Sequence, residues 1–108
     1  MSAPHAPCAQ IEVVVLTQAD CAFCDQAKAI LVRLSREFSL LISHADLGSA
    51  QGELLARRNG VLFPPGVLLD GAPCCYGRLS ERKLRRELSR RCARLPADPL
   101  LVRARLAD

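Results

Sequence analysis

The spacing of apolar and polar residues predicts an alternation of short strands and helices in the first half of the chain. Residues 11–16 form a β-branched, nearly continuous apolar run, which is typical of a strand covered on both faces. From Cys21 to about Phe38, apolar residues recur at steps of three and four and define one stripe of a helix. Residues 40–42, with Ala45, predict a second strand, and a weaker helix over about 50–58 ends at Asn59-Gly60.

The second half predicts a hairpin followed by a long amphipathic helix. Asp70-Gly71 stands between two apolar runs, the strongest short-range signal of a β-hairpin. Ser80 is a suitable N-cap for a helix that Pro96 ends. Its apolar stripe is Leu84, Leu88, Cys92 and Leu95, and its other faces carry many arginines.

The resulting order, β-α-β-α-β-β-α, predicts a single α/β domain. A strand–helix–strand start implies two parallel strands joined by a right-handed crossover, and the hairpin adds an antiparallel pair. The sheet is therefore expected to be mixed and four-stranded, with helices on both faces. We expect a flexible arm at residues 1–10, the domain at 11–95 and a C-terminal tail at 96–108.

Composition narrows the class of protein. A chain of 108 residues with 50% apolar residues suits one globular domain and excludes wholesale disorder. No apolar run reaches the ~18 residues of a membrane span, and no secretory signal is visible, so a cytoplasmic protein is expected. In a reducing compartment the six cysteines are expected to be catalytic, metal-binding or plain core residues.

Charge is distributed unevenly. Residues 1–54 carry a net charge of −3 and residues 55–108 a net charge of +7. Three explanations fit this uneven charge: a surface that binds an acidic partner, a face that binds nucleic acid, or one solvated basic helix. Three Phe, one Tyr and no Trp do not supply the aromatic interleaving that single-stranded nucleic acid requires, so a nucleic-acid partner is not expected.

Cys21 and Cys24 carry the most informative spacing. A Cys-X-X-Cys pair directly after a strand, at the start of a helix, is typical of redox proteins. The helix N-terminus favours thiolate at Cys21, and Cys24, one turn deeper, can attack a mixed disulfide on Cys21. The alternatives are a zinc half-site, which needs two more ligands, and a merely structural pair.

The other four cysteines have less distinctive surroundings. Cys92 is expected to be a small core residue and Cys8 an exposed thiol in the arm. Adjacent strand residues point to opposite faces, so Cys74 and Cys75 are expected to be divided between them. The alternative for this doublet is a second exchange site that receives electrons from the active pair.

The segment Cys21-Ala22-Phe23-Cys24, together with Phe63-Pro64-Pro65-Gly66 and the Asp70-Gly71 turn, resembles the glutaredoxin branch of the thioredoxin-fold superfamily. The ending Tyr76-Gly77-Arg78-Leu79-Ser80 is similar to that of small bacterial glutaredoxin-like proteins. The resemblance covers about residues 11–92. It implies a thioredoxin fold with a cis peptide bond before Pro65.

The resemblance also implies a function, thiol–disulfide exchange with Cys21 as nucleophile and Cys24 as resolving thiol. Phe23, Pro64 and Pro65 are the expected substrate-binding residues, with backbone near Pro65 pairing with an extended substrate. The redox equivalents reside in two sulfurs, so no bound organic cofactor and no resident metal are expected. Glutathione, another low-molecular-weight thiol or a flavin reductase is the expected electron donor. Gln18 and the Phe63-Pro64 pair depart from the family's pattern at glutathione-binding positions.

Two other functions are compatible with the same residues. In one, the chain is a thioredoxin-fold binding module whose cysteine pair is vestigial or holds zinc, and whose basic last helix docks a partner. In the other, the nucleophilic cysteine carries an iron–sulfur cluster, as in some members of the wider family. The expected partners of the oxidoreductase are disulfide-containing proteins or small thiol compounds. Association with a membrane is not expected.

Overall fold

A computed structural model describes residues 9–94. The elements are β1 (Ile11–Thr17), α1 (Ala22–Leu34), β2 (Leu40–Asp46), α2 (Ala50–Arg58), β3 (Gly66–Leu69), β4 (Ala72–Tyr76) and α3 (Glu81–Arg94). This is the predicted order. The predicted tail, Leu95 and all of the arm except residues 9 and 10 lie outside the described residues.

The four strands form one mixed sheet in the order β2-β1-β3-β4. β1 pairs with β2 in parallel, and β3 pairs with β1 and with β4 antiparallel. Asp70 and Gly71 make the turn between β3 and β4, both with positive φ, at 50° and 84°. That conformation suits Gly and is tolerated by Asp, which explains why this dipeptide specifies the hairpin.

The core has two layers because alternate residues of β1 point to opposite faces of the sheet. Val13 and Val15 join a cluster formed with the buried stripes of α1 and α3. Leu16 packs on the other face with Ala56 of α2. The expectation of helices on both faces is therefore confirmed, with α1 and α3 on one side and α2 on the other.

Ion pairs between α1 and α3 complement their apolar contact. Arg33 of α1 donates three hydrogen bonds to Glu81 of α3, the shortest at 2.7 Å. Arg85 of α3 reaches back to Glu37, just beyond α1, at 2.8 Å. Solvent reaches all four side chains, so each pair contributes little free energy, but together they orient the two helices.

The first helix is shorter than the sequence predicts. It ends at Leu34, and the Arg36 and Glu37 N–H groups bond to carbonyls three residues back, which tightens the chain into a turn. Phe38 still packs against the core, but from this turn rather than from the helix. The apolar spacing thus predicted the burial of Phe38 correctly and its backbone conformation wrongly. β2 is longer than predicted, because it runs without interruption through Ser43 and His44 and ends at Asp46.

Candidate active site

The candidate site lies where β1 ends and α1 begins. Three residues connect Thr17 to Cys21, and the last of them, Asp20, adopts a left-handed conformation with φ of 55°. Cys21 has an extended backbone and is the N-cap of α1. Its carbonyl accepts hydrogen bonds from the N–H groups of Cys24 and Asp25 at 3.1 Å each. The turn therefore places the Cys21 side chain at the N-terminus of α1.

Cys21 and Cys24 form a disulfide, with their Cα atoms 5.1 Å apart. This separation lies within the usual range for disulfides, so the helical spacing brings the two sulfurs together without a backbone rearrangement. The two residues differ in access. Cys21 is half-buried, whereas Cys24 is 1% exposed and belongs to the core.

The helix N-terminus provides an environment that favours an anion at Cys21. The Cys21 sulfur accepts a hydrogen bond from the Cys24 backbone N–H at 3.1 Å, and the positive end of the helix dipole faces the same position. The carboxylates of Asp20 and Asp25 flank the motif, both exposed, and oppose that effect. The backbone groups act at contact distance, so they are the stronger influence on the Cys21 sulfur.

A cis peptide bond joins Pro64 to Pro65, as the resemblance implies. Gly66, which begins β3, lies opposite Leu16 near the end of β1. The register therefore places the Pro64-Pro65 segment at the same end of the sheet as the cysteine pair. Pro65 is fully buried and Pro64 half-buried.

The backbone beside this cis bond has few free hydrogen-bonding groups. Neither Pro64 nor Pro65 has an N–H, and the Pro65 carbonyl accepts a hydrogen bond from the Gly77 N–H at 2.7 Å. An extended substrate could therefore pair with the Pro64 carbonyl but would find no N–H donor at either proline. The predicted pairing with substrate is thus limited to one acceptor at these two residues.

Exposed apolar side chains surround this end of the sheet. Phe23, in the first turn of α1, is 45% exposed, and Leu62 and Phe63 are 75% and 56% exposed. The rings of Phe63 and Tyr76 meet edge to face with centroids 5.2 Å apart. Leu62 and Tyr76 were not singled out from sequence. Their positions could have indicated them. Leu62 comes shortly before the two prolines in sequence, and Tyr76 ends the strand that follows the Asp70-Gly71 turn.

The remaining cysteines correct two expectations. Cys74 and Cys75 do not lie on opposite faces, because Cys74 is an extra residue, a bulge, in β4 opposite the step from Val67 to Leu68 of β3. Both pack against the cluster beneath α1 and α3. Cys92 is half-buried and disulfide-bonded, so it is not a plain core thiol. Cys8 lies outside the described residues.

Two negative findings apply to residues 9–94. No three of their His, Cys, Asp or Glu side chains cluster as ligands for a metal ion. No helix within this range is long and apolar enough to cross a membrane.

Solved structures with similar backbones define the class of the protein. A mutant thioredoxin from Halobacterium salinarum NRC-1 superposes with a TM-score of 0.64 and 19% identity, covering 80% of this chain and 78% of that one. A protein of unknown function, SA0789 from Staphylococcus aureus, superposes with a TM-score of 0.57 and 16% identity over 80% and 94% of the two chains. Together with the element order and sheet topology, these similarities identify a thioredoxin-fold protein with a Cys-X-X-Cys disulfide after its first strand.

Sequence comparison identifies the family. The chain is 32% identical over 92 residues to the uncharacterized protein Rv0508 of Mycobacterium tuberculosis and to the uncharacterized protein Mb0520 of Mycobacterium bovis. The alignment covers 83% of this chain and 95% of each relative. The chain therefore belongs to the same family as these small mycobacterial proteins. No family model matches it.

Proposed function

We propose that the protein is a glutaredoxin-like thiol–disulfide oxidoreductase that reduces protein or small-molecule disulfides. The observation that carries the proposal is the contrast within one disulfide: Cys21 caps a helix and is half-exposed, whereas Cys24 is buried one turn deeper. An accessible attacking sulfur and a protected resolving sulfur are what two-step exchange requires.

In the first step, the Cys21 thiolate attacks one sulfur of the substrate disulfide. A Cys21–substrate disulfide forms, the substrate's own S–S bond breaks, and the leaving sulfur takes a proton from water. In the second step, Cys24 loses its proton and attacks the Cys21 sulfur. The Cys21–Cys24 disulfide forms, the mixed disulfide breaks, and the second substrate thiol leaves. Two electrons pass from the cysteine pair to the substrate, and an external thiol or flavin reductase returns them.

The apolar surroundings support a protein disulfide as one class of substrate. Phe23, Phe63 and Tyr76 offer partly exposed rings, and the Pro64 carbonyl offers one acceptor to an extended backbone. These groups suit a peptide segment with apolar side chains beside its cysteine. The proposal includes an external thiol or flavin reductase as electron donor and a cytoplasmic location.

The proposal is tested by trapping a covalent intermediate. Reduced wild type, Cys21→Ser and Cys24→Ser are mixed with a fluorescent peptide that carries a disulfide to a small thiol. Wild type should release the small thiol and end with a Cys21–Cys24 disulfide. Cys24→Ser should accumulate an adduct that peptide mapping places on Cys21, and Cys21→Ser should lose turnover. Full turnover by Cys21→Ser would refute the proposed oxidoreductase function, in which Cys21 is the nucleophile.

The same preparation separates the rival functions. An iron–sulfur protein would be coloured and absorb visible light when freshly purified, whereas the oxidoreductase is colourless. A zinc-bound pair would resist thiol reagents until a chelator is added. A binding module with a vestigial pair would show neither behaviour and no turnover. Colour or a chelator requirement would therefore replace the proposed function by a specific alternative.

A further inference from the structure

The bulge in β4 creates a second pair of neighbouring thiols. Across the β3–β4 ladder, Val67 lies opposite Cys75 and Leu68 lies opposite Pro73, so Cys74 is the extra residue. A bulge of this kind redirects a side chain that regular alternation would send to the other face. Cys74 and Cys75 consequently lie on one face, and both line the same cavity.

The cavity lies between β4 and α3 and has a volume of about 510 Å³. That volume is in the range of small-molecule sites. Neither Cys21 nor Cys24 is among its lining residues. It is therefore separate from the candidate active site.

The walls of the cavity are strongly cationic. Five basic residues and one acidic residue, Glu87, line it; the basic ones are Arg78, Lys83, Arg86, Arg90 and Arg91. Arg90 and Arg91 pair with Glu87 at 3.0 and 3.1 Å. Within the described part of the chain, the other three form no ion pair, and all three are exposed. Their charge is available to an anionic ligand.

The two thiols are not equivalent. Hydrogen bonding with the neighbouring Cys75 thiol lowers the pKa of Cys74, and Arg91 acts in the same direction against burial and Glu87. The pKa of Cys75 is raised. The main cause is the hydrogen bond with Cys74, which ionisation of Cys75 would remove, and burial and the nearby Cys74 act in the same direction. These opposite directions favour Cys74 as the thiol that ionises, with the Cys75 thiol beside it.

We propose that Cys74 is a second reactive thiol, which is thiolated by low-molecular-weight disulfides that carry carboxylates held by Arg78, Lys83 and Arg86. The Cys74 thiolate attacks one sulfur of the small disulfide. A bond forms between Cys74 and that sulfur, the original S–S bond breaks, and the other half leaves as a thiolate that takes a proton from water. Cys74 is oxidised and the leaving half is reduced.

The reaction is expected to stop at the mixed disulfide. Adjacent Cα atoms lie about 3.8 Å apart across a trans peptide, whereas disulfides usually need at least about 4.4 Å. Cys75 is therefore poorly placed to close a ring with Cys74, and its part is to donate a hydrogen bond. Removal of the ligand then requires a second thiol from solution.

The test uses the Cys21→Ser/Cys24→Ser protein, which has lost the proposed active pair. After reduction it is mixed at low ionic strength with oxidised glutathione, with neutral hydroxyethyl disulfide or with cationic cystamine. Peptide mapping by mass spectrometry locates the adduct and gives its rate. We expect the adduct on Cys74, with the anionic probe at least about tenfold faster than the cationic one, because electrostatic attraction raises association rates by that order. High salt should reduce the ratio.

Matched variants identify the cause. Lys83→Gln/Arg86→Gln should lose most of the preference for the anionic probe, whereas Arg57→Gln/Arg58→Gln, with the same change of net charge on α2, should keep it. Cys75→Ser retains a donor and should leave Cys74 reactive, whereas Cys75→Ala should slow it.

Equal rates with the three probes, or an adduct on Cys75 in place of Cys74, would overturn the proposal. The background lacks both Cys21 and Cys24. Failure here therefore leaves the proposed oxidoreductase function unaffected.

Discussion

The sulfur of Cys21 accepts a hydrogen bond from the backbone N–H of Cys24 across 3.1 Å. This donor belongs to the first turn of α1, and the Cys21 carbonyl accepts a hydrogen bond from the same N–H, also at 3.1 Å. It needs no conformational change to face a thiolate at Cys21. The residue that donates it buries its own side chain in the core, so one residue contributes both a fixed donor and a protected thiol.

This relationship predicts an order of thiol reactivity. In the reduced native protein, Cys21 should react with iodoacetamide well before Cys24, because Cys24 is 1% exposed and reacts only after local opening. Mass spectrometry of peptides at successive times measures both rates. In urea the two rates should converge, since burial no longer separates them. Simultaneous modification under native conditions would show that the buried position of Cys24 does not protect it.

A second prediction concerns the carboxylate next to the nucleophile. Asp20 lies beside Cys21 with φ of 55°, a conformation that Asn also tolerates, so Asp20→Asn should preserve the turn. Removing this negative charge should lower the pKa of the Cys21 thiol, because a nearby like charge disfavours the thiolate. The pH dependence of alkylation measures it. Glu53→Gln, which removes a charge from α2, is the control and should leave the profile unchanged; an unchanged profile in Asp20→Asn would exclude the effect.

Local sequence patterns predicted most of the fold. The β-branched run of β1, the Asp70-Gly71 turn and the stripe of α3 each specify an element through local chemistry, and the structure contains all three. The cysteine spacing likewise predicted a pair that can close a disulfide. Each of these features depends on residues that are close together in the chain, so it can be predicted from the sequence alone.

Features that depend on distant partners were not predictable in this way. The division of Cys74 and Cys75 between two faces follows from regular alternation, but the bulge against Val67 and Leu68 removes that alternation. Nothing in residues 72–76 alone signals a bulge. The burial of Phe38 from a turn also depends on the core beneath it. Errors therefore arose where tertiary pairing overrides local pattern.

A glycine within α2 provides the third prediction. Gly→Ala in a helix interior usually stabilises by roughly 0.5–1 kcal/mol, because Gly is the more flexible residue when unfolded. At Gly52 the sign should reverse, since a Cβ there would fall on the backbone carbonyl of Asp46 in β2. We expect Gly52→Ala to lower the free energy of unfolding by about 1–3 kcal/mol, as overpacking does. Urea denaturation measures this.

The control for this prediction is Gln51→Ala, an exposed position on the same helix. It should change the free energy of unfolding by less than about 0.5 kcal/mol, as is usual for surface substitutions. If Gly52→Ala were as stable as the control or more stable, α2 could move away from β2 at little cost. The close packing of α2 on the sheet would then not require glycine at position 52.

The fourth prediction follows from the ion pair between α1 and α3. The Arg33 guanidinium hydrogen-bonds to Glu81 and holds the pKa of that carboxyl below its ordinary value. A carboxyl with a lowered pKa in the folded state stabilises the protein at pH values above its unfolded pKa, and this contribution is lost as the pH falls through the folded value. Glu81→Gln should therefore lower the urea midpoint at pH 7.

At a pH low enough to protonate Glu81 in the folded protein, the midpoints of Glu81→Gln and wild type should converge. Arg33 is exposed and Glu81 is partly exposed, so the effect is expected to be small and to weaken in high salt. Glu53→Gln removes a carboxylate whose partner, Arg57, lies on the same helix at 3.8 Å, and it controls for the loss of charge alone. A difference between Glu81→Gln and wild type that stays constant from pH 7 to acid would mean that Glu81 acts through packing against α1 rather than through its charge.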